Sequence, residues 1–384
     1  MSVILPGATI GFLGGGQLGR MAGMAARTMG YDVHVLDPEH HCPARPLASQ
    51  VITAPWGDVD AAAKLAEGAD VVTIEIEQIP LPALEAAERR APLRPGPQVL
   101  WTVQDRARQK EWLRDHGFPL GPFAVVRTAD ETTAAVRSLG SCIVKSTHGG
   151  YDGRGQARVS DPADAAAAFQ GIGAPICVAE RFLTLAAELS VMVARTPDGD
   201  MRAYPPARNH HTNGVLTWSV IPGGFDDAVV RRATEIACGI AEQLEVVGLI
   251  AVELFLLEDG SLCVNELAPR PHNTYHHSER ACVTSQFEQL VRAVCGLPLG
   301  DTDVVRPAAI YNLLGEVWSG PNAPDITGVL GLPGVRLHLY GKREARAGRK
   351  MGHLSACGET SDVALARVVD AYRQMAAGTG GPIA

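Results

Sequence analysis

Features that mark membrane, secreted and nucleic-acid-coating proteins are missing from this sequence. The best apolar run, residues 246–257, is too short to cross a bilayer and is interrupted by Glu253. The N-terminus has no basic segment followed by a cleavage pattern, and a net charge of −8 disfavours binding along nucleic acid. Eight cysteines include no Cys-x-x-Cys pair, so we expect buried reduced thiols rather than disulfides or a zinc site. These absences predict a cytoplasmic protein without membrane or nucleic-acid partners.

What is present is the composition of a soluble globular protein with two or three domains. The chain has 384 residues, of which 46% are hydrophobic and 20% charged. Residues 8–100 alternate apolar strand patterns with helical patterns, which predicts a parallel sheet. The Pro-rich segment 91–97 predicts a domain boundary. A helix is expected from Thr102, with Thr102 and Asp105 as a capping box and Gly117 after its end.

The rest of the chain is predicted to be richer in strands. Residues 123–219 read mostly as short strands and hairpins, and residues 226–244 as an amphipathic helix. After about residue 300, Pro/Gly-rich turns separate short strands, and a last helix is expected over residues 362–375.

A glycine-rich segment, residues 145–156, is the most informative part of the sequence. Four glycines lie within seven residues, so several backbone N–H groups can turn toward one anion, and Lys145 adds a point charge at the end of a predicted strand. A Walker loop would place its lysine after the glycines and lead into a helix, whereas this segment leads into a strand. We interpret it as a phosphate-binding flap; a hairpin tip without a ligand is the alternative.

Two glutamates are predicted to face each other on the hairpin over residues 248–266. If Asp259 and Gly260 form a two-residue turn, counting back along both strands pairs Glu253 with Glu266 on one face. Two carboxylates so placed repel, and a hard cation such as Mg²⁺ would relieve the repulsion. Asn265 adds an amide oxygen, although a regular strand would point it to the other face. A protonated or solvated carboxylate pair is the alternative.

Two further groups of polar residues are suited to anions. Arg270, His272 and Asn273 offer a guanidinium, a ring N–H and an amide, a set that fits a small planar oxyanion. Arg270 could instead pair with Glu253 or Glu266. Residues 342–350 hold five basic side chains, which indicates a phosphomonoester site or, alternatively, a solvated basic surface.

The glycines near the N-terminus permit two interpretations. Residues 14–19 fit Gly-x-Gly-x-x-Gly between a strand and a helix, and Asp37 follows at the dinucleotide spacing. Alone this pattern indicates NAD, but any anion can use a helix N-terminus opened by glycines. No hydride-transfer site follows, so we favour a substrate phosphate or ribose, with Glu75 facing the same crevice.

Four segments together resemble a known family. Residues 14–20, 149–156, 265–273 and 348–353 resemble, in order, the motifs of the ATP-grasp superfamily and, within it, of the N5-carboxyaminoimidazole ribonucleotide synthetases. The resemblance implies an α/β and α+β chain with an ATP-grasp fold, a Rossmann-like parallel-sheet domain at the N-terminus and a small β-rich C-terminal domain. The corresponding limits are residues 1–100, 101–298 (with 118–190 as the subdomain that carries the flap) and 299–384.

The activity implied by the resemblance is ATP- and bicarbonate-dependent carboxylation of the amine of 5-aminoimidazole ribonucleotide by a homodimer, with ATP and Mg²⁺ as cofactors. Glu253 and Glu266 would hold Mg²⁺. The residues implied to bind ATP are Arg106, Lys145, Gly150, Tyr151, Asp152, Gly153, Arg154, Gly155, Gln156, Glu180, Arg181, Phe182, Leu183, Glu188, Arg208, Asn265 and Glu266. Those implied to act on bicarbonate and the acceptor are Arg270, His272, Asn273, Tyr151, Asp152 and Arg154. Those assigned to the ribonucleotide are Gln17, Leu18, Glu75, Asp152, Lys342, Arg349 and Lys350.

Two positions depart from the family pattern. Arg208 stands where some relatives carry a histidine near ATP, and Thr274-Tyr275 replaces Ser-Gly after His-Asn. A formate-dependent glycinamide ribonucleotide transformylase and a biotin carboxylase are the alternatives within the superfamily. An NAD-dependent oxidoreductase and a non-catalytic nucleotide sensor are the alternatives outside it.

Overall fold

Four short parallel strands form the N-terminal sheet of the computed structural model, which describes residues 3–149, 155–320 and 322–377. The strands are β1 (Thr9–Leu13), β2 (Asp32–Asp37), β3 (Gln50–Thr53) and β4 (Val71–Ile74), in the order β3-β2-β1-β4. Helices α1 (Gln17–Thr28), α2 (Val59–Glu67) and α3 (Leu81–Glu88) connect or follow them. The predicted parallel sheet is confirmed, and only β3, which has no fully buried residue, was not expected.

A second four-stranded sheet carries the flap. Its strands are β5 (Phe123–Val126), β6 (Cys142–Ser146), β7 (Gln156–Val159) and β8 (Cys177–Arg181), in the order β5-β8-β6-β7. Lys145 of β6 pairs with Gln156 of β7, so the glycine-rich segment connects two antiparallel strands as predicted. Residues 150–154 lie outside the described part of the chain.

The largest sheet has nine strands and runs through the rest of the chain. Its main path is β14-β13-β9-β11-β12-β15-β17-β16, with β10 paired to β9. The strands are β9 (Leu185–Arg195), β10 (Met201–Ala203), β11 (Ala207–Thr212), β12 (Val215–Ile221), β13 (Gly248–Leu257), β14 (Leu262–Ala268), β15 (Ala308–Leu314), β16 (Val335–Leu339) and β17 (Lys350–Cys357). Because β15 pairs with β12, the C-terminal strands continue the central sheet.

Helices cover these two sheets. They are α4 (Pro97–Val103), α5 (Arg106–Asp115), α6 (Ala129–Leu139), α7 (Ala165–Ile172), α8 (Asp227–Gln243), α9 (Ser278–Ala281), α10 (Gln286–Cys295), α11 (Ile326–Leu330) and α12 (Ser361–Ala377). Within the described residues, no helix combines the length and the apolarity that a membrane span needs. All eight cysteines are unpaired thiols, which confirms the expectation that they form no disulfide.

One local prediction at the domain boundary was wrong, and the prediction of mostly strands over residues 123–219 missed two helices. Thr102 lies inside α4, and the cap of the next helix is Asp105, whose carboxylate accepts a hydrogen bond of 2.8 Å from the Arg108 N–H. The chain is helical on both sides of Asp105 because the capping carboxylate starts a new helix at a turn. Helices α6 and α7 lie in the region expected to be mostly strands; α6 begins after the Thr128 cap and ends at Gly140, whose φ is +83°.

The register of the β13–β14 hairpin brings the two glutamates opposite each other, although the predicted turn is wrong. The Gly260 N–H bonds to the Leu257 carbonyl, and the Leu257 N–H bonds to the Ser261 carbonyl, so the loop has three residues. That offset is cancelled by a bulge between Glu253 and Leu254, where Asn265 is the additional residue. Glu253 therefore pairs with Glu266, as predicted. Because the bulge interrupts the alternation, the Asn265 amide reaches the same face and lies 3.3 Å from the Glu253 carboxylate.

Candidate active site

A cleft of about 560 Å³ separates the flap-bearing sheet from the nine-stranded sheet. Strands β6 and β8 supply one wall, and β9, β11, β13 and β14 supply the other. Most residues predicted to bind ATP line this cleft. They are Arg106, Lys145, Gly155, Gln156, Glu180, Arg181, Phe182, Leu183, Glu188, Asn265 and Glu266, together with Glu253.

One buried carboxylate gathers the cations of the cleft. Glu180 accepts hydrogen bonds from the Arg106 guanidinium and, at 3.3 Å, from Lys145 Nζ. Burial alone would raise the pKa of Glu180, but the charges of Arg106, Lys110 and Lys145 hold it well below its usual value. The cluster therefore carries a net positive charge that faces the cleft, which suits a polyphosphate.

Lys110 belongs to this cluster and was not predicted. Its Nζ lies 3.6 Å from the Glu180 carboxylate, and its side chain is 3% exposed. Burial lowers the pKa of Lys110 to about 8, despite the opposing charge of Glu180. The signal available in the sequence was the spacing of Arg106 and Lys110, four residues apart on one helical face.

The carboxylate pair lies on the opposite wall and fits a hard divalent cation. Burial raises the pKa of Glu253, and the charges of Glu266 and Glu188 add to that effect against the lowering influence of His211. Glu266 lies 3.8 Å from the Arg106 guanidinium, and Asn265 accepts a hydrogen bond of 3.2 Å from the same group. A set of carboxylate and amide oxygens is the type that Mg²⁺ occupies together with nucleotide phosphates. Glu253 and Glu266 are the residues that would hold it.

A histidine in the cleft changes one assignment. His211 lines the cleft and forms a hydrogen bond with Glu188, which raises the pKa of His211 against the effect of its burial. Arg208 is not among the lining residues; its guanidinium is 3.4 Å from Asp362 at the start of α12. Asn209, the next residue on β11, bonds to Ser190 and Ser219, so strand alternation turns Arg208 away. The structure therefore places His211 in the lining of the cleft and Arg208 outside it, and the ATP contact of Arg208 stays a prediction that this geometry disfavours.

The predicted oxyanion residues lie beside the carboxylate pair. His272 Nε2 is 3.7 Å from the Glu253 carboxylate, and burial together with the charge of Arg270 lowers the pKa of His272 well below its usual value. Arg270 pairs with Glu77 at 2.7 Å rather than with either glutamate of the hairpin. A neighbouring cavity of about 310 Å³ is lined by Glu77, Arg270 and Glu266, among others.

Asn273 lies deeper than the other two. Its Nδ2 donates a hydrogen bond of 2.9 Å to the Asn312 amide oxygen, and its own Oδ1 is buried without a hydrogen-bond partner among the described residues. Asn273 therefore positions the turn that follows His272 and presents no donor directly to the cavity residues given above.

The N-terminal glycine loop is occupied by the protein's own carboxylates. The Gly15 N–H donates to Asp37 at 2.8 Å, and the Gly19 N–H donates to Glu75 at 2.8 Å. A Cβ at Gly14 or Gly16 would overlap with Glu75. The Gly15 and Gly19 N–H groups are therefore already paired within the protein, and burial raises the pKa of both Asp37 and Glu75. The substrate phosphate or ribose contact favoured for this loop stays a prediction. Glu75 faces this loop, and Leu18 is buried beside it.

The basic segment 342–350 lies against the N-terminal domain. Lys342 Nζ is 3.0 Å from the Gln17 amide oxygen and 2.7 Å from the Lys350 carbonyl. Arg349 is 3.7 Å from the Glu39 carboxylate. Lys350 also lowers the pKa of His272, so the basic segment extends electrostatically to the oxyanion residues. The structure thus brings together Gln17, Lys342, Arg349 and Lys350. Five predicted residues lie outside the described part of the chain: Gly150, Tyr151, Asp152, Gly153 and Arg154.

Comparison with known proteins agrees with this architecture along the whole chain. Residues 111–287 match the ATP-grasp domain, and residues 7–104 match the ribonucleotide synthetase preATP-grasp domain. Residues 308–367 match the phosphoribosylaminoimidazole carboxylase C-terminal domain. The fold and the site are those of an ATP-grasp ligase.

Individual relatives narrow the class to one family. The N5-carboxyaminoimidazole ribonucleotide synthase of Bacillus subtilis strain 168 is 40% identical over 94% of this chain and 94% of its own. A crystal structure of the ADP complex of an N5-carboxyaminoimidazole ribonucleotide synthetase is similar with a TM-score of 0.92 and 40% identity, over 97% of this chain and 98% of that one. A synthase from Aspergillus clavatus, in complex with ADP and 5-aminoimidazole ribonucleotide, gives a TM-score of 0.88 and 30% identity over 96% and 98%. This chain belongs to the N5-carboxyaminoimidazole ribonucleotide synthase family, which confirms the resemblance drawn from its motifs.

Proposed function

We propose that this chain uses ATP and bicarbonate to carboxylate the exocyclic amine of 5-aminoimidazole ribonucleotide, releasing ADP and phosphate, in de novo purine biosynthesis. The single observation that carries the proposal is that three groups of polar residues lie next to one another. They are the Glu253–Glu266 pair, the Arg270–His272 pair, and the basic segment 342–350. Their order from one wall of the cleft to the N-terminal domain matches the order in which a triphosphate, an oxyanion and a phosphomonoester would meet.

The nucleotide end depends on charge. Arg106 and Lys145 face the phosphates, and Glu180 fixes both cations by ion pairs so that they do not reorganise during the reaction. Glu188, which is hydrogen-bonded to His211, is suited to a ribose hydroxyl because its two carboxylate oxygens can accept hydrogen bonds from separate donors. Mg²⁺ held by Glu253 and Glu266 would neutralise charge on the β- and γ-phosphates.

Bicarbonate is proposed to bind between Arg270 and His272. Burial and the charge of Arg270 lower the pKa of His272 well below its usual value, so its imidazole is uncharged at pH 7 and orients the oxyanion through its ring N–H. Transfer of the γ-phosphoryl group to a bicarbonate oxygen gives carboxyphosphate and ADP. The substrate nitrogen then forms a bond to the carboxyl carbon, phosphate leaves, and the nitrogen loses one proton.

The acceptor is proposed to be held at its phosphate. Lys342, Arg349 and Lys350 would bind the phosphate, with Gln17 and Leu18 next to them at the start of α1. Asp152, between Tyr151 and Arg154 of the flap, would position the amine. Glu75 acts through the glycine loop by holding the N-terminus of α1. We further propose that the enzyme is a cytoplasmic homodimer, which sedimentation of the purified chain would test.

ADP release measured with each reactant alone and with all of them together tests the proposal. We expect fast release only when bicarbonate and 5-aminoimidazole ribonucleotide are both present with Mg²⁺. Faster release with formate and glycinamide ribonucleotide would support the transformylase alternative, and ATP binding without ADP release would support a nucleotide sensor. Binding of a nicotinamide dinucleotide, measured by fluorescence, would support the alternative that the chain is an oxidoreductase.

A further inference from the structure

Two histidines and a glutamate form a cluster on the C-terminal strands, outside the cleft. His338 of β16 and His353 of β17 are directly opposite in the antiparallel register, with ring centroids 5.1 Å apart. Glu279 reaches them from α9, and its Oε2 lies 3.9 Å from His338 Nδ1. One nitrogen or carboxylate oxygen from each residue lies within 4.8 Å of the other two. None of the three is among the residues lining the cleft described above.

The donor atoms of the cluster suit a cation. Burial lowers the pKa of His353 and His338, so both imidazoles are neutral at pH 7 and each keeps a lone pair. Burial also raises the pKa of Glu279 to about 7, and the charge of Arg336 offsets this only in part. One carboxylate oxygen beside two uncharged imidazole nitrogens is a donor set that a divalent cation accepts, and the charges of Arg336 on Glu279 and of Arg20 on His338 act against it.

The surroundings resemble the outer hydrogen-bonding shell of a metal site. The Tyr340 hydroxyl lies 2.9 Å from His353 Nδ1, and when that hydroxyl oxygen accepts the Nδ1 proton, Nε2 keeps its lone pair for a ligand. His276, which is 1% exposed, stacks on His353 with centroids 5.0 Å apart. Its Nε2 has no hydrogen-bond partner among the described residues. A buried imidazole nitrogen beside the cluster is thus available as a further donor.

We propose that Glu279, His338 and His353 bind one transition-metal ion of the zinc class. Three protein ligands of the His₂Glu type, with an open position, match the coordination that Zn²⁺ accepts. Bonds of about 2.0–2.1 Å require ligand atoms about 3.4 Å apart, so the three side chains close by about 1 Å around the ion. Glu279 can make most of that movement because its side chain is one-third exposed.

The position of the site assigns it a structural role. Helix α9 follows the turn that carries His272 and Asn273, and the Gln286 amide bonds to both the His272 carbonyl and His276 Nδ1. Strands β16 and β17 carry the basic segment 342–350 in their connection. An ion shared by Glu279 and the two histidines joins these two segments.

Metal binding by the full chain tests the proposal with Co²⁺ and Zn²⁺ as the probes. The measurements are made on metal-stripped protein carrying Glu266→Gln, so that cation binding at the cleft carboxylates is weakened. We expect one equivalent of Co²⁺ with the visible absorption of four- or five-coordinate cobalt, and an upward shift of the melting temperature with Zn²⁺. We expect both signals to be lost in His338→Ala and in Glu279→Gln. The control is Glu235→Gln, which changes an exposed glutamate of α8 and should keep both signals.

Substitution of two separate buried tyrosines tests the hydrogen-bonding partner of His353. Tyr340→Phe should weaken Zn²⁺ binding about 10- to 100-fold, because it removes the partner that orients His353. Tyr311→Phe on the neighbouring strand β15 should leave the affinity unchanged. Retention of one bound equivalent by both His338→Ala and Glu279→Gln would overturn the proposal, and so would failure of the unsubstituted cluster to bind either ion.

Discussion

At the residue scale, strand geometry decides which side chains reach the cleft. The prediction that Glu253 pairs with Glu266 assumed a two-residue turn. It is correct because a bulge cancels the offset that the longer turn introduces. The sequence could not predict that the same bulge turns the Asn265 amide toward Glu253. Lys110 was missed because burial, rather than spacing alone, makes it part of the Glu180 cluster. Arg208 was assigned to ATP from its position in the family pattern alone. Side chains alternate between the two faces of a strand, so a position along the chain does not show which face a residue occupies.

Paired substitutions on β11 separate the two candidates for the nucleotide site. His211→Ala should raise the KM for ATP about tenfold, because it removes a hydrogen bond that positions the Glu188 carboxylate. Arg208→Ala should leave that KM unchanged, since Arg208 faces Asp362. Steady-state ADP release at varied ATP measures both. An equal effect of the two substitutions would contradict the assignment.

The carboxylate hairpin allows a matched test of the cation site. Glu266→Gln keeps the size of the side chain and should lower kcat by about 100-fold to 1,000-fold, because charge on the transferred phosphoryl group loses its electrostatic support. Glu258→Gln changes an exposed glutamate in the connecting loop of the same hairpin and should have no effect. Normal turnover by Glu266→Gln would disprove the metal assignment.

At the scale of elements, the glycine loop and the basic segment show how far local patterns predict structure. The strand–loop–helix unit around residues 14–19 was predicted correctly, because glycine spacing and apolar periodicity are local. The local pattern could not predict that Asp37 and Glu75 accept hydrogen bonds from the loop, because both residues reach it from the ends of other strands. The cap at Asp105 was assigned to Thr102 for a related reason: either residue can cap, and packing of α4 decided between them.

Two glycines with similar backbone angles test the role of the loop. Gly14 and Gly7 have φ of +101° and +97°, but only a Cβ at Gly14 would overlap with Glu75. In both alanine variants, backbone strain should lower the free energy of unfolding by about 1–3 kcal/mol. In Gly14→Ala, the clash with Glu75 should lower it by about 1–3 kcal/mol more. Urea unfolding measures the difference. Equal losses would mean that Glu75 moves aside without cost.

The basic segment can be tested in the same way. Arg349→Ala should raise the KM for 5-aminoimidazole ribonucleotide about 10- to 100-fold with little change in kcat, because a charge-assisted hydrogen bond to the phosphate is lost. Arg346→Ala, which removes an exposed arginine paired with Glu344, is the control. A lowered kcat with unchanged KM for the Arg349 variant would argue against a phosphate contact.

At the scale of the whole molecule, buried neutral histidines connect stability with pH. Burial lowers the pKa of His272, His276 and His353 well below the ordinary value, and that of His277 to about 3. Unfolded histidines take up protons below about pH 6.5, whereas these buried rings do not. The unfolded state therefore binds more protons in this range, so the free energy of unfolding falls as the pH decreases.

Urea unfolding between pH 7.5 and 5.5, with a chelator present, measures this dependence. Each buried histidine should contribute a loss of about 1.4 kcal/mol per pH unit below pH 6.5, and for His277 the loss should continue toward pH 3. His277→Gln should reduce the slope by about that amount, whereas His116→Gln on the surface should not. A slope that the His277 substitution leaves unchanged would contradict the burial argument.

The pairing of β12 with β15 has a consequence for any attempt to shorten this enzyme. A chain that stops near residue 300 would expose the hydrogen-bonding edge of β12 to solvent, and with it Val220 and Ile221, two residues of that strand that are fully buried in the whole protein. Such an edge is a template for other chains, so the truncated protein should self-associate rather than persist as a smaller ATP-binding unit. The residues after about 300 are thus not an independent domain, because β15 also protects the edge of the nine-stranded sheet from association with other chains.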